Sequence, residues 1–456
     1  MRETARFATL LLMCSMLASL PLAAAETFSP PIAYDEATQR ADAILSVLSL
    51  DEKIALLGGH SRFFIRALPE HGVSHVFLAD STLGVRLADN ITDESLRPKI
   101  ERTTAFPSAA LLAATWNPEL AERYAHAVGE ESRAAGVGIL LGPGLNVYRQ
   151  AQSGRSFEYF GEDPFLIARM VERFVIGVQS TGTIATLKHF VANNTDFYRR
   201  RSNSVVGERA LHEIYMPGFE AGIDAGAMAV MTAYNKVNGE WAGQSRYVID
   251  DLLRGRLGFR WLVMTDWTSV WDGEKVIRSG QDLEMPRASA LENARMLVTT
   301  GKVDESAIDR MARSILRTTN AMGLHDRPPA DPILAPKYAE HKRIALDTAR
   351  EGIVLLRNEN GFLPLSSRPG ANIVATGKFV DTIAEGRGAA RVEGYDQVTL
   401  AEALAQEFGE RVEQVDIADE TKIRSADVVV LTTGTEDGEG WDRPFSLPDE
   451  EAAAIE

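Results

Sequence analysis

Asp266 closes an apolar run in the segment WLVMTDW, residues 261–267, and Trp267 follows it directly. A carboxylate so placed can act as a nucleophile or base, and an indole beside it can stack on the apolar face of a ring and shield the carboxylate. A helix N-cap followed by a packed indole has the same signature, so the pair has to be judged by its company. Asp80 ends the run VFLAD, Lys188 and His189 end IATLKH, and Tyr234 lies near the end of AVMTAYN. A charge inside an apolar strand would be unpaired and costly, so polar residues gathered at strand ends point to a site rather than to a core. Glycoside hydrolysis uses such a set: one carboxyl ionised as nucleophile or base, a second protonated as acid, and polar groups for the sugar hydroxyls. The second carboxyl has to come from elsewhere in the chain.

A parallel sheet is what brings strand ends to one face. The runs VFLAD, VGILLGPG, IATLKH, AVMTAYN and WLVMTDW alternate with helical patterns at 118–135, 210–225, 290–300 and 304–316. This rhythm predicts an α/β chain whose residues 26–324 form a (β/α)8 TIM-type barrel, with catalytic groups at the C-terminal strand ends. Residues 325–336, HDRPPADPILAP, hold four prolines and no period, which predicts a linker. From residue 337 a helical stretch, GIVLL, NIVATG, a helix over 399–408 and DVVVLTTG alternate again. They predict a second domain over 337–456, a doubly wound α/β sandwich that is incomplete at Glu456.

The 456 residues are 45% hydrophobic and 25% charged, an ordinary composition for a folded chain with a large core. A net charge of −16 argues against nucleic acid or an anionic membrane as partner, since both need a positive footprint, and favours a neutral substrate. Residues 1–25 place Arg2 and Arg6 ahead of an apolar stretch and end in Ala23-x-Ala25, the pattern of a secretory signal peptide. Export to the periplasm or the medium follows, with no membrane span after cleavage. Cys14 is the only cysteine, so a mature chain would rest on no disulfide.

Nine ordered segments carry a family resemblance. They are Asp80 to Arg86 (DSTLGVR), FPSAALLAATWN from Phe106, GPGLNVYRQAQSGRSFEYFGEDP from Gly142, KHFVANN from Lys188, GERALHEIYMPGFEAGI from Gly207, MTAYNKVNG from Met231, LGFRWLVMTDW from Leu257, EGIVLLRNENGFLPL from Glu351 and EDGEGWDRPFSLP from Glu436. From about Asp42 onward the chain resembles glycoside hydrolase family 3 of the β-glucosidase type. The resemblance implies Asp266 as nucleophile and Glu439, supplied by the second domain, as general acid/base. It implies a sugar subsite lined by Asp80, Arg86, Arg155, Lys188, His189, Arg199, Tyr234 and Trp267. No cofactor is implied. The chain has Asp80-Ser81-Thr82 where the family often has Asp-Gly-Pro, and Ala389 where some relatives offer a serine hydroxyl.

Charge placement suggests how the two carboxyl groups would be told apart: Lys188 and the arginines keep Asp266 ionised, while a less polar setting keeps Glu439 protonated. The expected activity is that of a retaining exo-β-glycosidase, most readily a β-glucosidase. A β-xylosidase or arabinofuranosidase is the near alternative, and a sugar binder without turnover the distant one. A Schiff-base or metal-dependent barrel enzyme is disfavoured, because no His or carboxylate cluster has ligand spacing and Lys188 would share its pocket with arginines.

Overall fold

The computed structural model describes residues 26–455 except 82, 88–89, 99, 332–336 and 437. The expected signal peptide and residues 332–336 of the linker lie outside the described residues.

Five of the apolar runs become buried strands: β2 (Val76–Asp80), β3 (Val137–Leu141), β4 (Ile184–Phe190), β5 (Ala229–Thr232) and β6 (Leu262–Thr265). With β1 (Phe64–Ile65) ahead of them they form one curled sheet in the order β1-β2-β3-β4-β5-β6. Pairing from β2 to β6 is parallel, with Lys188 opposite Met231 and Thr232 opposite Thr265. This register puts Asp80, His189, Tyr234 and Asp266 at one end of the sheet. The curl closes through single bridges, Met264 to Leu283 and Glu284 to Gly58.

The TIM-like domain is therefore recovered, but it departs from regular eightfold alternation near its start. β1 runs antiparallel to β2, and only a short 3-10 turn at Pro69–His71 separates them. A parallel crossover needs a dozen or more residues, and the ten between Ile65 and Val76 are too few for one, so the chain doubles back. Closure also demands close approach: a Cβ on Gly58 would lie 2.5 Å from the Ala288 nitrogen.

Helices cover the outside. Pro118–Ala135 and Pro164–Ser180 each begin with proline behind a capping side chain, Asn117 accepting from the Leu120 N–H at 3.0 Å and Asp163 from the Phe165 N–H at 2.8 Å. They lie close because Gly177 carries no Cβ, which would stand 2.4 Å from the Glu122 carbonyl oxygen. Glu305–Ala321 buries Ile308, Met311, Ala312, Ile315 and Leu316, the face its periodicity predicted. The helix expected over 210–225 is broken into Glu208–Ala210, a π-turn at Leu211–Tyr215 and Pro217–Asp224, because Pro217 has no N–H to continue the ladder. Among the described residues no helix is long and apolar enough to cross a membrane.

In the second domain β7 (Ile373–Gly377) lies between β8 (Val412–Gln414) and β9 (Val428–Thr432), all parallel. The run GIVLL, expected as a strand, is not one. Both edges of β7 are occupied and no described strand runs beside residues 353–356, whose side chains are exposed, Leu356 by 92%.

Helix Tyr338–Gly352 brings this domain back onto the barrel. Its His341 is buried between two carboxylates of the barrel helix, Nδ1 2.7 Å from Glu131 and Nε2 3.0 Å from Glu130. Glu131 also accepts the Thr104 N–H at 2.7 Å, and the Thr104 hydroxyl meets the Tyr395 hydroxyl at 2.9 Å. Burial by itself would lower the His341 pKa, but Glu131 and Glu130 raise it above its ordinary value. A histidine held charged in this way stabilises the fold fully below its unfolded pKa of about 6.5, and that contribution is lost as pH rises through the folded value. Denaturant midpoints should therefore fall for the wild type as pH rises above about 6.5 and stay level over the same range for His341→Gln. Parallel curves for the two proteins would show that the imidazolium contributes nothing.

Candidate active site

Asp266 is the first residue after β6, where the strand turns sharply and Thr268 takes a positive φ of 59°. The Trp267 N–H donates to Asp266 Oδ1 at 2.7 Å and the Ser269 hydroxyl to the Asp266 carbonyl at 2.9 Å, which fixes the side chain against its own turn. Oδ2 receives no hydrogen bond among the described residues and lies 3.4 Å from His189 Nε2. Asp266 is buried, and burial pushes its pKa up; Arg155 and Arg199 offset only part of that.

His189 is held from behind. Asn146 brackets its backbone, accepting the His189 N–H and donating to its carbonyl, both at 2.9 Å. Nδ1 lies 3.3 Å from both the Tyr159 hydroxyl and Asn146 Oδ1, which fixes the ring plane and turns Nε2 toward Asp266. Burial, with Arg155, Lys188 and Arg199 nearby, keeps the ring neutral by pushing its pKa well down.

Glu439 arrives from the other domain on the loop around residues 438–443. Its Oε1 lies 2.7 Å from Arg199 Nη2 and 4.0 Å from Arg155 Nη1, and its Oε2 accepts the Ala389 N–H at 3.0 Å. Gly388 makes room for it, since a Cβ there would stand 2.7 Å from that of Glu439. Arg155 is anchored by buried Glu158 at 2.7 Å, and Arg199 by Asp196 at 3.2 Å while its guanidinium lies 3.9 Å over the Tyr234 ring. Arg155 keeps Nε and Nη1 without a hydrogen-bond partner among the described residues.

The loop that carries Glu439 is pinned to the barrel by main-chain contacts. Asp442 Oδ1 accepts the Asp196 N–H at 2.8 Å and the Gly154 N–H at 3.3 Å, and the Arg443 N–H donates to the Gln152 carbonyl at 2.8 Å. Asp196 in turn accepts the Gly440 N–H. A Cβ on Gly154 would lie 1.8 Å from the Trp441 carbonyl oxygen, so only glycine permits this approach.

The remaining predicted residues complete the cluster. Asp80 ends β2, pairs with Arg86 Nη1 at 3.2 Å and has its pKa pushed to about 6 by burial, with Lys188 pulling it back. Tyr234 is buried; burial and then Asp266 raise its pKa well above the ordinary value. Trp267 is half-buried with its ring 5.3 Å from Phe63. All ten residues named from the sequence converge at the C-terminal end of the sheet. Glu158, Asp196, Asn146, Tyr159 and Asp442 were not anticipated, although each lies in or beside a motif that was.

One expectation is reversed. Lys188 acts on Asp80 rather than prominently on Asp266, and the two carboxyl groups are polarised in the opposite sense. Burial would raise the pKa of Glu439, yet Arg155 and Arg199 bring it down to about 2, whereas Asp266 ends above its ordinary value. The sequence placed the arginines in the site but not which carboxylate they would grip. Among the described residues no group of His, Cys, Asp and Glu side chains is arranged to hold a metal ion.

Residues 78–318 match the N-terminal domain of glycosyl hydrolase family 3 and residues 353–456 its C-terminal domain. The chain belongs to glycosyl hydrolase family 3. This family 3 chain is 34% identical over 378 residues to beta-glucosidase B of Emericella nidulans, covering 82% of the chain and 44% of the relative. It is 31% identical over 442 residues to an exo-α-(1→6)-L-arabinopyranosidase of Bifidobacterium longum, covering 90% and 57%. Its fold is similar to that of beta-glucosidase 3B from Thermotoga neapolitana in complex with glucose, with a TM-score of 0.81 at 31% identity over 91% of this chain and 66% of that one. The chain spans about half the length of the curated relatives it matches.

The ion cluster makes a direct prediction. Carbon-13 NMR of the Glu439 carboxyl should show a midpoint at about 2, and Arg199→Gln should move it up toward the ordinary value of about 4.3. The depressed pKa stabilises the fold above the unfolded value and that part is lost as pH falls toward 2. A Glu439 resonance that titrates identically in both proteins would mean that Arg199 does not set its charge.

Proposed function

We propose that this chain is a retaining exo-acting β-glycosidase, a β-glucosidase that removes terminal non-reducing β-D-glucosyl residues. The observation that carries the reading is the meeting of two carboxyl groups from different domains over shared arginines, one with an oxygen that accepts no hydrogen bond. Asp266 Oδ2 attacks the anomeric carbon while Glu439 protonates the departing oxygen, and Glu439 then takes a proton from water as the glycosyl-Asp266 ester is hydrolysed. His189 Nε2, 3.4 Å away, stands beside the attacking oxygen without a hydrogen bond to it. Asp80, Arg86, Lys188, Arg155 and Arg199 take the sugar hydroxyls, the open Nε and Nη1 of Arg155 among the donors, and Trp267 covers the ring.

Glu439 has to carry a proton to do this, and its present contact with Arg199 opposes that. Sugar entry resolves the conflict: Arg199 turns to a hydroxyl, water leaves, and both changes raise the Glu439 pKa. Titration of Glu439 should accordingly move upward on saturation with glucose.

The family's beta-glucosidase relatives and the glucose-bound neighbour support glucose as the sugar. The arabinopyranosidase relative favours a second reading, cleavage of a pentopyranoside, and the rate ratio between nitrophenyl β-glucoside and nitrophenyl α-L-arabinopyranoside decides between them. The leader-like residues 1–25 support export to the periplasm or the medium.

Asp266→Asn should lower kcat on nitrophenyl β-glucoside by about 10³-fold or more, with an unchanged melting temperature. Glu439→Gln should cost about 10²–10⁴-fold in general acid catalysis, and less for a leaving group that needs no proton. Rates within tenfold of wild type for Asp266→Asn would overturn the assignment.

A further inference from the structure

A second aromatic arrangement stands on the barrel rim beside the site. Trp241 and Trp271 are stacked, ring centroids 4.7 Å apart and planes 26° apart, with the Lys236 ammonium 4.1 Å over Trp241. Trp271 is 47% exposed, yet its backbone is firmly held. Its N–H and that of Asp272 both donate to Oε1 of buried Gln244, at 3.0 and 3.2 Å, and Gln244 Nε2 donates to Glu240 at 2.9 Å. Trp271 walls a cavity of about 460 Å³ together with Asp272, Ser289, Glu292 and Asn293. That volume falls within the range of small-molecule sites. Gly273 lets the two walls of the cavity pack together, for a Cβ there would lie 2.3 Å from the Ala290 carbonyl oxygen and 2.6 Å from Asn293 Oδ1.

The lining selects its occupant. Two carboxyl groups without a lysine or arginine among the wall residues repel anions. A cation gains little from Asp272, whose Oδ1 already caps the following helix through the Lys275 N–H at 3.2 Å. An indole face next to an amide, a hydroxyl and carboxylates suits a neutral ligand with one apolar face and many hydroxyls, which is a sugar unit. The position suits it as well. Trp271 follows Asp266 by five residues, so their Cα atoms are at most about 18 Å apart. Trp241 Nε1 donates to the Arg200 carbonyl at 3.0 Å, and Arg200 donates to the Trp267 carbonyl at 3.0 Å, so a single residue joins the two aromatic sets.

We propose that this cavity is a further saccharide subsite, in which Trp271 stacks a sugar unit on the leaving-group side of an oligosaccharide. The proposal rests on the glycosidase reading and adds to it that the preferred substrates are β-linked oligosaccharides rather than short aryl glycosides.

The test measures hydrolysis of nitrophenyl β-glucoside and of β-linked glucose oligomers of two to five units by the full chain, by Trp271→Ala and by Trp271→Phe. Trp271→Ala should leave the aryl glucoside rate within about twofold and raise KM for the longer oligomers about threefold to tenfold with kcat little changed. Trp271→Phe should restore most of the affinity. Equal effects on all substrates, or none on any, would overturn the subsite. If the wild type cleaves nothing, the catalytic reading fails, and calorimetric titration of the same oligomers then reads the subsite alone. A gain in affinity with chain length that Trp271→Ala removes supports it, and matched affinities overturn it. A wild-type dimer that Trp271→Ala disperses would also overturn it, by assigning this face to a second copy.

Discussion

The guanidiniums of Arg155 and Arg199 lie between carboxylates that reach them from opposite domains. Glu158 and Asp196 hold them on the barrel side, and Glu439 meets them from the second domain. Buried charges are costly unless they are paired and hydrogen-bonded, and here each arginine has a barrel carboxylate of its own while Glu439 draws on both arginines. Arginine suits the place because its planar fork can serve two partners at once while staying charged. Domain docking, the electrostatics of the site and the placement of Glu439 are thus one arrangement.

The same arrangement sets the resting charges of the two central carboxyl groups. Arginine contacts outweigh burial at Glu439, and burial outweighs the arginines at Asp266. In the unliganded site Glu439 is accordingly the carboxyl group held below its ordinary pKa and Asp266 the one held above it. Under the proposed mechanism, sugar hydroxyls that compete for Arg199 would relieve this pull on Glu439 when a sugar fills the pocket. Proton donation would then be tied to occupancy.

Supporting features follow from the need for close approach. Gly154 lets the loop of Glu439 touch the barrel, Gly388 lets the Glu439 side chain pass, and Gly58 lets the sheet close. Further from the site, His341 between Glu130 and Glu131 fastens the first helix of the second domain to a barrel helix. The apolar residues 353–356 that follow that helix pair with no described strand.

Much of this protein could be read from its residues. Apolar runs ending in Asp80, His189 and Asp266 gave strands and the face on which their polar ends meet, because strand periodicity and terminal charge are local properties. Motifs around Arg155, Arg199 and Glu439 carried the family resemblance. What the sequence could not supply were distances between segments far apart in the chain. The antiparallel β1, the loose GIVLL run, the gripping of Glu439 by the arginines and the bridging role of Asp442 all depend on what packs against them. The residue types in the site were written locally; which carboxyl group is pulled below its ordinary pKa and which is pushed above it was decided by burial and by partners some 240 residues apart, such as Arg199 and Glu439, and only the folded chain brings these together.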